Sequence, residues 1–369
     1  MISKYWKNLD KSLPLYGTGL MRLPTDENGI DYARAKEMFD YAVQNGANYF
    51  DTAYFYHGGD SERFFAKASK DYPRESLMLT DKFPAWLAHE PSDVEKIFSE
   101  QLERCGTEYF DFYFLHSVGR GEWGKIQDFG IYDFLAKKKT EGIIRNLGFS
   151  SHDSPDAMDF LLEQAEWDIV QIQLNYYDWF GNSKNLYDSI TKKGLPVIAM
   201  EPVLGGRLAN LSDNVSDIYK NAGLAKTNAE FALKFVGSLP NIAMVLSGTS
   251  TLEQAKENIG IFKSFTPYGE KGFEIAEQAV KEINKFDSVP CTDCRYCKEC
   301  PAEINIPRLL SSYNDYLRFN TKDGLKWTVN DIQEEKRPDK CTGCGACMET
   351  CPQKIDVPFY LEKICETIN

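Results

Sequence analysis

Cysteine is nearly missing from the first 290 residues: Cys105 stands alone there, and the rest of the 10 lie from Cys291 onward. A disulfide framework spreads its cysteines over the unit it staples, so crowding at one end reads as metal ligation. Apolar runs of membrane-spanning length are absent too. The start, Met1 to Asp10 with Lys4, Lys7 and Asp10, lacks the apolar stretch of a signal peptide. The chain therefore reads as soluble and cytoplasmic. Positive charge is in deficit, with 42 Lys and Arg against 55 Asp and Glu and a net charge of −13. This argues against nucleic acid or anionic membrane as partners, since both reward a positive surface; a redox partner protein stays compatible with it. No Gly-x-Gly-x-x-Gly follows the first strand, which weakens a doubly wound dinucleotide fold.

What the chain does have is length for two units (369 residues) and enough apolar content (43%) for a sizeable core. From the N-terminus to about Phe286, short apolar runs alternate with amphipathic stretches. Strands are expected at Asn48–Asp51, Leu77–Lys82, Phe112–His116, Arg145–Ser150, Ile169–Asn175, Pro196–Met200 and Ile242–Leu246, with one more early in the chain that pattern alone does not place. Helices are expected at Asp31–Asn45, Ser92–Cys105, Gly130–Lys139, Ser154–Ala165, Ser183–Lys193, Asn228–Gly237 and Leu252–Lys263. About eight such units imply an α/β fold, a closed (β/α)8 barrel over 1–286. Beyond a linker at Asp287–Pro290 the rhythm stops, and 287–369 reads as a small, mainly helical ferredoxin-like iron–sulfur domain.

Barrels of this kind carry chemistry at the C-terminal ends of their strands. Asp51, Lys82 and His116 end three successive strands, and Tyr56 follows five residues after Asp51. Singly, each has an ordinary structural role open to it: a cap, a solvated charge, a core histidine, a surface ring. Together they form a coherent set. A tyrosine can protonate a carbonyl oxygen while hydride reaches the carbon, a neighbouring lysine favours the phenolate, an aspartate holds the lysine, and a histidine orients the carbonyl.

On these residues the sequence resembles the aldo/keto reductase superfamily. The likeness covers roughly residues 13–265 and runs through Gly17-Thr18-Gly19-Leu20-Met21-Arg22-Leu23-Pro24, Asp51-Thr52-Ala53-x-x-Tyr56, Lys82, Asp111-x-x-x-x-His116, Ile144-Arg145-x-x-Gly148-Phe149-Ser150, Gln171-x-x-x-Asn175 and Glu257-Asn258. The resemblance implies carbonyl reduction or its reverse on a small carbonyl or alcohol substrate, with Tyr56 as general acid/base. It implies a nicotinamide dinucleotide whose carboxamide Ser150 and Gln171 would hold, with Met21 and Arg22 beside it, Met200 against the ring and Asn258 near the adenine. Relatives that use NADPH carry a lysine and an arginine where this chain has Gly248 and Gln254, which leaves NAD(H) and NADP(H) both open. The loop Ser117–Asp128, with Trp123, and the segment Tyr176–Phe180 are expected to wall the pocket, with ordinary packing an equal alternative for their aromatics.

The second cysteine run, Cys341-x2-Cys344-x2-Cys347-x3-Cys351-Pro352, has bacterial ferredoxin spacing; the first, Cys291-x2-Cys294-x2-Cys297-x2-Cys300-Pro301, is one residue shorter in its last gap. Zinc sites use cysteines in pairs, whereas these come in threes with a fourth before proline, so two [4Fe–4S] clusters are expected. If the fourth cysteines exchange as in two-cluster ferredoxins, one cluster takes Cys291, Cys294, Cys297 and Cys351, and the other Cys341, Cys344, Cys347 and Cys300. The long gap between runs resembles the α-helical ferredoxins of respiratory reductases, and the whole chain resembles the aldo/keto reductase subgroup with a C-terminal ferredoxin-type segment. Cys105 and Cys365 read as a buried hydrophobe and a free thiol.

Two functions follow. One is an iron–sulfur oxidoreductase in which hydride moves in the barrel while the clusters carry single electrons or serve structure. Hydride moves two electrons and a cluster one, and the chain shows no flavin fingerprint, so a flavin is possible but unmarked. The other is a non-catalytic electron-transfer or docking subunit whose barrel senses a nucleotide; the complete proton-transfer set favours the enzyme.

Overall fold

A computed structural model describes residues 1–286 and 288–369; Asp287, the first residue of the expected linker, lies outside the described residues. The chain folds as two compact units, one of Met1–Gly205 with Ala229–Ala276, the other of Gly206–Asn228 with Glu277–Asn369. The second unit thus includes a segment far to the N-terminal side of residue 286.

In the first unit eight parallel strands close into a barrel. They are β1 (Tyr16–Gly19), β2 (Tyr49–Asp51), β3 (Met78–Phe83), β4 (Phe112–Leu115), β5 (Leu147–Ser151), β6 (Ile169–Gln173), β7 (Val197–Met200) and β8 (Ile242–Gly248). Each pairs with the next, and β8 pairs with β1, Gly248 opposite Gly19. The helices are α1 (Tyr32–Gln44), α2 (Asp60–Ala68), α3 (Ser92–Cys105), α4 (Ile131–Thr140), α5 (Pro155–Gln164), α6 (Lys184–Lys192), α7 (Asn228–Gly237) and α8 (Leu252–Lys263). The expected (β/α)8 barrel is therefore the fold. Strands such as Phe112-Tyr113-Phe114-Leu115 are apolar throughout because both faces are covered, by helices outside and by the filled lumen inside.

The first strand, Tyr-Gly-Thr-Gly, looks like a turn and is a strand for a packing reason. A Cβ on Gly17 would lie 2.4 Å from Met244 Sδ, so only glycine lets the lumen fill there. Below it, a hairpin of Ser3–Trp6 and Lys11–Pro14 brings Trp6 and Leu13 against Tyr49, Phe112, Ile169 and Met244.

Next to the start of β4, Asp111 is 1% exposed and accepts from three cations: Arg74 Nη1 at 2.9 Å, Arg145 Nη1 at 2.9 Å and Lys11 Nζ at 3.1 Å. It also accepts from Leu79 N at 3.1 Å. Arg74 and Arg145 lie over the Tyr109 ring, at 4.1 and 3.8 Å from its centroid. One buried carboxylate thus ties the hairpin to the turns leading into β3, β4 and β5.

In the second unit the helices Ile306–Phe319, Lys322–Asn330 and Val357–Ile368 surround a core that includes Val289, Ile304, Leu309, Leu310, Leu325, Val329, Leu361 and Ile364. The helix Ile306–Phe319 is capped by Asn305, whose side chain accepts from Arg308 N. Here the structure exposes a repeat longer than the cysteines. Cys300-Pro-Ala-Glu-Ile-Asn-Ile-Pro and Cys351-Pro-Gln-Lys-Ile-Asp-Val-Pro take the same path: Glu303 and Lys354 both have positive φ (50° and 52°). Their amides return to Cys300 O and Cys351 O, at 2.9 and 3.1 Å, and Asn305 and Asp356 each cap the helix that follows. Among the described residues no helix is long and apolar enough to cross a membrane.

Because Asp111 serves three cations that keep partial contact with water, Asp111→Ala is expected to lower stability by about 2–3 kcal/mol. Denaturant unfolding followed by barrel fluorescence measures this; a loss under about 0.5 kcal/mol would rule out the staple.

Candidate functional site

The barrel mouth gathers the four expected residues. Asp51 ends β2 opposite Thr80, and Lys82 lies near the end of β3 opposite Phe114. Asp51 is 2% and Lys82 1% exposed. Lys82 Nζ donates to Asp51 Oδ1 and, at 2.7 Å, to Thr52 O. It lies 5.1 Å from the centroid of the half-buried Tyr56 ring. His116, the residue after β4, meets Tyr56 edge-on with centroids 6.0 Å apart.

Burial alone pulls the Lys82 ammonium down, but Asp51, Tyr56 and Asp81 outweigh it, so the lysine is held charged. Burial also pushes the Tyr56 phenol up. The lysine charge acts against that rise, in the expected sense, without cancelling it, so Tyr56 keeps its proton at neutral pH. His116 is lowered to about 2, by burial first, then by the charges of Lys82 and His152; it is a neutral imidazole. Among the described residues, His116 Nδ1 and Gln171 Oε1 are buried at this end without a hydrogen-bond partner. Buried polar atoms are ordinarily satisfied, so these two are open to a polar ligand.

Ser150 lies on β5 opposite Gln171 of β6, and Met200 ends β7 opposite Gln173. Ser150 Oγ accepts from Ser117 N at 2.8 Å, leaving its hydroxyl proton free to donate. Met21 and Arg22 are exposed in a short turn after β1, where Ser250 Oγ donates to Arg22 O at 2.9 Å. Asn258 is 7% exposed on α8, and its amide donates to Ser247 Oγ at 3.2 Å.

Some expectations fall differently. Trp123 is 3% exposed in a short helix, Trp123–Asp128, and packs on Tyr132 and Trp167, so it belongs to the outer packing. In its stead Phe55 and Trp86, 45% and 39% exposed, flank His116, at 5.1 Å (stacked) and 5.2 Å. Pattern reading passes over both; the available signal is an aromatic within a few residues of a functional strand end.

In the second unit the cysteines line two cavities. The first is bordered by Cys291, Cys294, Cys297, Cys347 and Cys351, the second by Cys300, Cys341, Cys344 and Cys347. Cys294 and Cys344 are exposed and the other six half-buried. Thiol sulfurs facing a shared void fit an iron–sulfur cluster by donor chemistry. Cys105 is buried on α3, and Cys365, half-buried, borders neither cavity.

Comparison with known proteins agrees with the geometry. Residues 16–280 match the aldo/keto reductase family. The chain belongs to that family. Residues 290–355 match the 4Fe-4S dicluster domain, so an aldo/keto reductase barrel is followed by a C-terminal ferredoxin-type domain. Among curated relatives of this aldo/keto reductase, the uncharacterized oxidoreductase YqkF of Bacillus subtilis is 25% identical over 281 residues, 68% of this chain and 87% of its own. L-galactose dehydrogenase of Arabidopsis thaliana is 27% identical over 239 residues, 59% and 74% of the two chains. Among solved structures, the aldo-keto reductase AKR11C1 from Bacillus halodurans (holo form) has a TM-score of 0.61 at 24% identity, covering 76% of this chain and 96% of that one. An aldo-keto reductase from Klebsiella pneumoniae in complex with NADPH has 0.61 at 19%, with the same coverage. These structural likenesses carry the fold.

The neutral His116 makes a pH prediction. Its pKa is depressed on folding, so its contribution to stability is present above about 6.5 and is lost as the pH falls below that, where only the unfolded chain takes up a proton. His116→Asn is expected to flatten the decline in melting temperature between about pH 6.5 and 5. Parallel wild-type and variant curves would show that His116 titrates normally.

Proposed function

We propose that the barrel exchanges hydride between a nicotinamide dinucleotide and a carbonyl or alcohol substrate, with Tyr56 as general acid/base, and that the second unit carries two [4Fe–4S] clusters for single-electron transfer with a redox partner protein. The observation that carries the reading is the buried chain Asp51–Lys82–Tyr56 beside an imidazole with an unmet Nδ1. The nucleotide, when bound, supplies or takes the hydride.

The residues do the rest. Tyr56, protonated in the resting site, gives its proton to the carbonyl oxygen as negative charge grows there; in the reverse direction it takes the alcohol proton. Lys82 stays cationic throughout and stabilises the phenolate left behind. Asp51 keeps Lys82 aimed and keeps its charge from being buried alone. His116, neutral, donates one N–H to the same oxygen and fixes its direction. Gln171 and Ser150 hold the carboxamide, with Met200 against the ring, Met21 and Arg22 along the cofactor, and Asn258 toward the adenine side.

The 2′ position of that cofactor reads as a free hydroxyl. Gln254 Oε1 accepts from Ser250 N at 2.9 Å, and Lys256 Nζ lies 5.8 Å from the centroid of the Tyr41 ring. The loop from Ser247 to Gln254 carries no lysine or arginine of its own, which supports NAD(H); Arg22, whose side chain lies against Gly248, is a cation beside it.

For the clusters, the cavity linings support the exchanged pattern: Cys291, Cys294, Cys297 and Cys351 for one, Cys341, Cys344, Cys347 and Cys300 for the other.

NADH and NADPH oxidation by anaerobically purified full-length protein across a panel of carbonyls tests the barrel. Turnover with NADH is expected, and Tyr56→Phe should lower kcat by about 10²- to 10⁴-fold while nucleotide binding persists. No turnover with either nucleotide, despite intact clusters, would favour a non-catalytic subunit. Iron, sulfide and EPR measurements test the second unit. Cys351→Ser is expected to perturb the cluster of the Cys291 run and leave the other signal; zinc without sulfide would overturn the assignment.

A further inference from the structure

On the outer face of the barrel wall lies a polar cluster that the reaction just described does not use. Lys82 points into the lumen, and Asp81, its neighbour on β3, points the other way, toward α2 and α3. Glu62 of α2, Asp81, and Cys105 of α3 bring ligand-type atoms within 4.8 Å of one another, at 0%, 0% and 1% exposure. Cys105 Sγ donates to Asp81 Oδ2 at 3.5 Å, and Arg104 Nη1 donates to Glu62 Oε2 at 3.2 Å. Glu62 Oε1 is buried with no hydrogen-bond partner among the described residues. The one guanidinium, Arg104, is shared with the part-exposed Glu100 at 3.4 Å, so the two buried carboxylates leave a negative charge unbalanced where water does not reach, which is costly. A proton between the two carboxyls removes the imbalance and satisfies Glu62 Oε1. A divalent cation would do the same for the charge, but the Arg104 guanidinium against Glu62 opposes it.

The cluster also grips both halves of the catalytic site. Asp81 Oδ1 accepts from Lys82 N at 2.8 Å, and Gln101 Nε2 donates to Lys82 O at 3.1 Å, so both backbone polar groups of Lys82 are held from outside. Arg104 donates to Tyr54 O at 3.5 Å and Tyr54 Oη at 3.2 Å, and lies 4.2 Å from the Tyr54 ring centroid, two residues before Tyr56.

We propose that Glu62, Asp81, Gln101 and Arg104 are positioning residues that set the Tyr56 loop against Lys82 from behind the barrel wall, locked by one proton shared between Glu62 and Asp81. This rests on the roles given above to Tyr56 and Lys82. Burial pushes both carboxyls up, and the charge of Glu62 adds to the rise at Asp81. The lock is therefore closed at lower pH and lost as the pH rises through the pair's titration. The groups facing Asp81 are Glu62 from α2, Cys105 from α3, Lys82 on β3, Tyr113 on β4 and Tyr56 after β2; Arg104 and, through it, Glu100 face Glu62, and Arg74 acts on Cys105.

The test compares full-length, cluster-loaded wild type with Asp81→Asn, Arg104→Gln and Arg104→Lys. Infrared spectra are expected to show a protonated-carboxyl band in the wild type that fades as the pH is raised and is missing in Asp81→Asn. Arg104→Gln should lower kcat by about tenfold to a hundredfold with little change in KM, Arg104→Lys should recover part of it, and exchange of amides in residues 53–59 should quicken. Asp81→Asn should remove an alkaline limb from the kcat profile. A missing band, or one untouched by Asp81→Asn, overturns the shared proton, as does a stoichiometric non-iron metal lost in that variant. Unchanged kcat and unchanged amide exchange in Arg104→Gln overturn the positioning role. If the wild type turns over no carbonyl, the catalytic reading falls, while the infrared band and amide exchange still decide the network.

Discussion

A lysine buried in the lumen of a barrel needs an anion beside it, and the partner of Lys82 is Asp51 on the adjacent strand. Much of the mouth follows from this one pair. It requires β2 and β3 to be neighbours in a register that sets Asp51 opposite Thr80, within reach of the Lys82 ammonium two residues on. The charge so maintained reaches outward, working against the burial that raises the Tyr56 phenol and helping to keep His116 neutral. Removing either partner would strand the other in a dry site, a loss far larger than that of a surface ion pair.

The backbone around this pair is bent in a consistent way. Tyr56, His116 and Met200 are each followed at once by a residue other than glycine with positive φ: His57 at 52°, Ser117 at 50° and Glu201 at 53°. Such conformations cost roughly 1–3 kcal/mol apiece and persist where the surroundings over-determine them. Here the closed sheet supplies the determination, and the left-handed residues turn the chain sharply away from the strand ends so that the side chains just before them stay at the mouth.

The barrel is legible in the sequence because its strands are covered on both faces and become uninterrupted apolar runs, each closing on a polar residue. Asp51, Lys82 and His116 stand out for that reason. What escapes has a physical cause in each instance. β1 hides because Met244 demands glycine opposite it, making a strand look like a turn. Helix α2 hides because its inner face carries Ser61 and Glu62, polar residues that are fully buried. Phe55 and Trp86 have no periodicity to betray them. The repeat after each cysteine run is masked by the one-residue difference in the last gap, although Asn305-x-Pro307 and Asp356-x-Pro358 are visible once the two final cysteines are aligned. The assignment of Gly206–Asn228 to the second unit is a property of packing, with no trace in composition.

The two cavities of the second unit share Ile306 and Cys347, and each borrows its last wall from the other half of the domain. Cys351, near the end of the chain, borders the cavity of the first run; Cys300 borders that of the second. The order of synthesis then matters. When the ribosome has made the first run, that run faces an unfinished site, and it stays unfinished through the next fifty or so residues. With the exchanged pattern proposed above, each cluster waits for a cysteine of the other run, so loading would follow the emergence of both runs, after the barrel that precedes them has had time to fold.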